Sequence, residues 1–166
     1  MDNIVLIGAG KRVLKTIAPA IINNNYFNIS QIISKNSGKK INISSINSTI
    51  TFTTDSIEQI KLKGIKYLYL GVTANQISKV LKKITKKIDL KDIILLIDTP
   101  PIYIKDLLRS SNFSAFKKVI ILEDWPYFLT HKIYEKLISE GLLGKLKTAY
   151  FFHNSYKYHT LSLIRF

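Results

Sequence analysis

The chain has no cysteine, one methionine, one tryptophan, and only four prolines and seven glycines among 166 residues. Without cysteine it can form no disulfide, thiolate metal centre or thiol nucleophile. Acidic residues are scarce as well: eleven Asp and Glu stand against twenty-five Lys and Arg, a formal net charge of +14. None lies between Asp2 and Asp55. Long apolar runs are also missing. Stretches such as Ile93–Ile97 fall far short of the ~20 residues that span a bilayer. The first strand-like segment begins near Asn3, which leaves no room for a secretory leader. These absences lead to the expectation of a soluble, cytoplasmic protein with no membrane partner.

What is present suits a packed core. The hydrophobic fraction of 46% is that of a globular chain, and the length allows one domain or one domain plus part of another. The positive charge could serve nucleic acid or a polyphosphate. Its distribution argues for solvation instead. Between Ile77 and Ile88, the residues Ile77, Val80, Leu81, Ile84 and Ile88 make one helical face, and Lys79, Lys82, Lys83, Lys86 and Lys87 fall largely off it. No helix-turn-helix or RNA-binding signature occurs, so no specific nucleic-acid partner is expected.

The most informative stretch is the start. An apolar strand, Asn3–Ile7, runs into Gly8-Ala9-Gly10 and then Lys11-Arg12-Val13. A glycine turn between a buried strand and a helix brings backbone N–H groups and the positive end of the helix dipole to one point. Gly8 permits the tight turn, and Gly10 lets a diphosphate approach the backbone. The third position of the G-x-G-x-x-G pattern holds Val13. The reading is a dinucleotide site, against the plainer one of an ordinary strand-to-helix turn.

Strand-like and helix-like segments alternate after it. A helix from Lys11 is interrupted at Pro19. Further strands are expected at Ile29–Ser34, Thr49–Thr53, Lys66–Leu70, Asp92–Ile97 and Lys117–Leu122. Helices are expected after Asp55, which with Glu58 has capping-box spacing, at Ile77–Ile88 and near Tyr103–Arg109. This rhythm implies an α/β, doubly wound parallel sheet, whose ligands bind at the carboxyl ends of the strands. The loops that matter are then Gly8–Arg12, Ser34–Asn36, Gly71–Gln76, Asp98–Pro101 and Glu123–Trp125. Past Trp125 the texture changes: a helix over Thr130–Glu140, a turn at Gly141–Gly144, and an aromatic-rich strand over Lys145–Phe152. The division read here is a nucleotide-binding domain over 1–123 and a partial α/β segment over 124–166, the truncated start of a second domain.

Strand two ends in Ser34-Lys35-Asn36, where an acid would bind the adenosine ribose 2′-hydroxyl of NAD. Lys35 and Arg12 could instead meet a 2′-phosphate, which favours NADP over NAD. The plain alternative is a pair of loop cations in a lysine-rich chain. Val72, Thr73 and Asn75 could bond cofactor phosphates or ribose, or cap the next helix.

Several segments, in order, resemble the glucose–fructose oxidoreductase / inositol dehydrogenase / rhizopine-catabolism (Gfo/Idh/MocA) family. Gly8-Ala9-Gly10 sits at its nucleotide turn, and Ala18-Pro19-Ala20 resembles the Pro-Ala of its first helix. Thr53-Thr54-Asp55 looks like its segment before the third helix, and Asp98-Thr99-Pro100 aligns with its Glu-Lys-Pro. Leu137 to Lys145 resembles its passage into the second domain, and His159 to Arg165 its histidine-bearing helix. The resemblance implies a Rossmann-like domain followed by a larger α/β domain. It implies hydride transfer between NAD(P) and a hydroxyl or carbonyl carbon of a sugar-like small molecule. It implies His159 and Thr99 at the catalytic positions, and Asp98, Thr99 and Pro100 beside the cofactor. The family's open second sheet also allows a homo-oligomer. Two departures bear on activity: Thr99 replaces a lysine, and Ser155 an aspartate. A hydroxyl is a poor general acid near neutral pH. The alternative reading is a non-catalytic or truncated nucleotide-binding or assembly module.

Overall fold

A computed structural model of the protein describes residues 1–34, 40–43, 48–51, 57, 60–86, 89–98, 110–145, 147–148 and 150. The chain divides into two compact units, Met1–Ile121 and Leu122–Phe166.

The centre of the first unit is a five-stranded parallel sheet. Its strands are β1 (Asp2–Ile7), β2 (Phe27–Ile33), β5 (Ile65–Leu70), β6 (Ile94–Asp98) and β7 (Lys118–Leu122), in the spatial order β2-β1-β5-β6-β7. The expected alternation of strand and helix thus produces the expected α/β fold. β1 is interior, paired in parallel with β2 on one side and β5 on the other. Ile4, Val5, Leu6 and Ile7 are all buried, as an apolar strand covered on both faces requires. From β1 the chain goes outward to β2, then returns past β1 to β5. The reversal of direction lies between β1 and β5, where such sheets open a crevice at their carboxyl edge.

Helices cover both faces. On one face Val5, Ile7, Leu68, Leu70, Leu95 and Ile97 meet α2 (Ala74–Thr85) through Ile77, Leu81 and Ile84. The side chains of Lys79, Lys82, Lys83 and Lys86 are exposed, so the described lysines of this helix are a solvated face, as the periodicity predicts. Ile88 and Lys87 lie outside the described residues. On the other face sit Ile4, Leu6, Ile32 and Tyr69, with Val13 and Ala18 of the first helical stretch buried among the core residues. That stretch begins at Lys11, passes through a π-helical turn at Val13–Ile17, and continues as α1 (Ala18–Asn23). The interruption expected at Pro19 takes this form. Proline has no N–H to give and its ring crowds the carbonyl one turn back, and the wider turn relieves both. The Ala18 N–H reaches back five residues to the Val13 carbonyl.

One expectation for the sheet needs correction. The segment expected as a third strand of the sheet, near Thr49–Thr53, forms β4 (Ser48–Thr51), but in a separate antiparallel pair with β3 (Lys40–Ile43). The reason is the connection. Four residues between two strands suffice for a hairpin, whereas a parallel partner needs a crossover of about a dozen. Ser110–Ala115, between the helix expected near Tyr103–Arg109 and the strand expected at Lys117–Leu122, forms a 3-10 helix. The expected helices after Asp55 and near Tyr103 lie outside the described residues.

In the second unit, Leu129–Ser139 forms α3, within one residue of expectation at each end. It has no buried residue, and Leu129, Ile133 and Ile138 are exposed. Lys132 pairs with Glu135 at 2.9 Å and lies 5.3 Å from the centre of the Tyr127 ring. Of the strand expected over Lys145–Phe152, the described residues Lys145, Lys147, Thr148 and Tyr150 follow the positive-φ turn at Gly144 and are not in a strand.

Candidate functional site

Parallel strands deliver their carboxyl ends to one edge, and the expected site residues sit there. Gly8 to Arg12 follow β1, Ser34 follows β2, Val72 to Asn75 follow β5, and Asp98 closes β6. Lys35, Thr99, Pro100 and His159 lie outside the described residues.

Gly8 holds φ at +107°, in a region that side chains avoid. Its N–H donates to the Ile33 carbonyl at 2.8 Å, and the Gly71 N–H donates to the Ile7 carbonyl at 2.8 Å. The end of β1 is thereby tied to β2 on one side and to the turn after β5 on the other. A Cβ on Gly8 would meet the Gly71 carbonyl oxygen, with the carbonyl carbon at 2.9 Å and Val72 Cγ1 at 3.3 Å. The first glycine is therefore demanded by the protein itself. Gly10 is different. A Cβ there would meet nothing within 4 Å, so the space above it is open. The first intrahelical bond after it runs from the Leu14 N–H to the Gly10 carbonyl at 3.1 Å. The Lys11 and Val13 amides therefore precede the helical ladder, where anions are held.

Val13 fills the third position of the fingerprint, where glycine ordinarily lets the helix approach the sheet. Here the room comes from the other partner. A Cβ on Gly71 would collide with Val13 Cγ2 and lie 2.6 Å from Tyr69 Cε1. Val13 is buried, seated over the glycine that ends β5. The sequence reading marked Gly71 as a strand end and missed this contact.

It also missed Tyr69. The signal was available: a tyrosine flanked by Leu68 and Leu70 in β5, two residues before a glycine, with its side chain on the face opposite theirs. Its hydroxyl donates to Asp98 Oδ2 at 2.6 Å, and Arg12 Nε donates to the same oxygen at 2.8 Å. Burial, and then the hydrogen bond to the Asp98 carboxylate, hold the Tyr69 phenol well above its ordinary pKa of 10. A raised phenol contributes stability that is intact below pH ~10 and is lost only as pH rises beyond it, so Tyr69 is a neutral donor near pH 7. Asp98 Oδ1 is buried and has no hydrogen-bond partner. Asp98, at the end of β6, thus holds Tyr69 and Arg12 on one oxygen and keeps the other as an acceptor.

Arg12 was expected to face an adenosine 2′-phosphate near Ser34. Its Nε instead meets Asp98 on β6, on the other side of β1 from β2. Ser34 is buried. Thr73 takes the N-cap position of α2 without a side-chain cap bond. Its hydroxyl donates to Asn75 Oδ1 at 2.6 Å, so of the two roles weighed for Thr73, side-chain capping is not the one observed. The crevice therefore has a glycine that a Cβ would clash with, an open approach at Gly10, amides ahead of a helix and one orphaned carboxylate oxygen. These features fit the diphosphate and ribose hydroxyls of a dinucleotide.

Among the described residues, no group of three potential metal ligands occurs, and no helix is long and apolar enough to cross a membrane. No protein-family model and no curated protein matches the chain. Solved structures do: those compared align over 87–99% of it, with TM-scores of 0.58–0.70 and identities of 10–16%. One is an oxidoreductase from Bacillus cereus, 15% identical, with 87% of this chain and 42% of that one covered and a TM-score of 0.65. Another is a super-repressor mutant of Gal80p from Saccharomyces cerevisiae, 16% identical, with 89% and 40% covered and a TM-score of 0.70. A third is a mutant of KijD10, a 3-ketoreductase from Actinomadura kijaniata, in complex with TDP-benzene and NADP. It is 10% identical, with 88% and 46% covered and a TM-score of 0.67. The chain spans 40–53% of the length of the structures compared. Its fold is that of the Gfo/Idh/MocA-type oxidoreductases, the family that its sequence segments resemble.

Proposed function

We propose that the chain binds NADP(H) in the crevice between the turns after β1 and β5, and carries the nucleotide-binding part of an oxidoreductase of the Gfo/Idh/MocA type. The observation that carries this reading is the Gly8–Gly10 turn: at positive φ and packed at Gly8, open at Gly10, and followed by helix-start amides. In this reading the amides after Gly10 hold the diphosphate. Val72, Thr73 and Asn75 line the mouth, and Asp98 Oδ1 accepts from a ribose hydroxyl. Ser34 and Lys35 meet the adenosine ribose, where the lack of an acid favours NADP over NAD. KijD10, a neighbour in fold, was solved with NADP. When bound, the nicotinamide supplies hydride transfer to or from a hydroxyl or carbonyl carbon of a sugar-like molecule. His159 is the proposed proton donor, and Thr99 the second proposed catalytic residue.

Titrating the purified chain with NADPH and following nicotinamide fluorescence tests this directly. Saturable binding, tighter than for NADH, is the expected result. No saturable signal at hundreds of micromolar removes the reading.

A second reading has its own support. Thr99 stands where the family has lysine, and a super-repressor mutant of Gal80p has the same fold. A nucleotide-binding module without turnover would bind NADPH yet reduce no NADP across a panel of sugars and cyclitols. Turnover that disappears in His159→Ala decides for the enzyme.

A further inference from the structure

Arg12, Tyr69 and Asp98 come from three different elements and meet at one carboxylate oxygen. The strand order gives this meeting a direction. Ser34 follows β2, on one side of β1, and Asp98 ends β6, two strands away on the other. Two strand spacings amount to about 10 Å, a span for a long side chain. Arg12 starts just after Gly10 and reaches Asp98, so it passes the end of β5, where Gly8 and Gly71 converge.

We propose that Arg12 is the cation that takes the ligand's diphosphate, and that Asp98, braced by the Tyr69 hydroxyl, holds it beside the crevice until the diphosphate arrives. This rests on the dinucleotide reading and deepens it: the charge of Arg12 serves the diphosphate, not an adenosine 2′-phosphate.

The exchange is downhill for a physical reason. The Arg12 side chain is 54% exposed and that of Asp98 21%. An ion pair that solvent reaches is screened and holds a long side chain in one place, so it contributes little. A diphosphate carries more negative charge and accepts paired, charge-assisted bonds from a guanidinium. Asp98 is not stranded when Arg12 leaves, because the Tyr69 hydroxyl still donates to Oδ2. That phenol stays protonated, so it remains a donor throughout the exchange. Tyr69 and Asp98 are positioning residues in this scheme.

Calorimetry on the full chain separates the possibilities, with ADP-ribose as the diphosphate probe and AMP as the control that has none. Arg12→Gln is expected to weaken ADP-ribose about five-fold or more and leave AMP within about two-fold. It leaves the ratio of NADPH to NADH affinity unchanged. Asp98→Asn keeps an acceptor oxygen at the Oδ1 position for the ribose, removes the charge that competes for Arg12, and is expected to tighten ADP-ribose about two-fold to five-fold. A merely structural carboxylate would give no such gain. The double variant should match Arg12→Gln, because the effect of Asp98 runs through Arg12. Arg12 is half-exposed, so its variant tests the idea even where Asp98→Asn fails to fold. Unchanged ADP-ribose affinity in Arg12→Gln, a fall in the NADPH-to-NADH ratio, or weaker binding in Asp98→Asn overturns the inference alone. A wild-type chain that binds neither ADP-ribose nor NADPH overturns the dinucleotide reading and this inference with it.

Discussion

Gly8→Ala is expected to destabilise the first unit by about 2–6 kcal/mol and to abolish nucleotide binding. Two costs combine. An L-residue at φ +107° is strained, worth about 1–3 kcal/mol. The added methyl also meets backbone, not a flexible side-chain end: the Gly71 carbonyl carbon would stand 2.9 Å from the new Cβ. Overpacking of this kind costs about 1–3 kcal/mol more. Relief requires the turns after β1 and β5 to separate, which lengthens the Gly71–Ile7 bond and widens the crevice. Urea unfolding read by circular dichroism, with NADPH titration below the midpoint, measures both effects. Gly10→Ala separates strain from function. Its Cβ enters open space, so stability should hold while dinucleotide affinity falls.

Leu81→Ala should be of similar size and have a different meaning. Leu81 is 1% exposed and sits in the middle of α2, against the face of the sheet formed by Val5, Leu68, Leu70 and Leu95. Truncating a leucine in such a place removes its transfer free energy and leaves a cavity, together about 2–5 kcal/mol. Lys82→Ala, one residue on, exchanges an exposed side chain on a helix and should stay within about 0.5 kcal/mol. Urea midpoints for the pair measure the difference. Equal midpoints would mean that α2 does not pack on the sheet.

The sequence made the sheet legible because its signals were local and redundant. β1 reads as buried from four consecutive apolar residues, and α2 from the spacing of Ile77, Leu81 and Ile84. The glycine turn was legible for the same reason, since a strand, two glycines and a helix start adjoin in the chain. The features that were not legible are all relations between distant segments. Nothing near Thr49 says whether its partner lies in the sheet or in its own hairpin. The partner is Asn42, seven residues earlier in the chain. Nothing near Arg12 says that Asp98 waits two strands away. Tyr69 looks like core until its hydroxyl is given an acceptor. Charge chemistry alone offers Arg12 to a 2′-phosphate near Ser34, and says nothing of the bond that it makes to Asp98 on the other side of β1.

The Val13–Gly71 contact has a wider consequence. The fingerprint asks three nearby positions to be small, yet its third demand is a clearance between two surfaces, and either surface can grant it. This chain keeps the bulk on the helix and carves the hollow into the strand. A pattern search confined to consecutive residues inspects one wall of that gap and scores the chain as defective. Judged by both walls, the joint is filled, with Val13 buried in the hollow that Gly71 leaves, and the two positions can be expected to drift in evolution only as a couple.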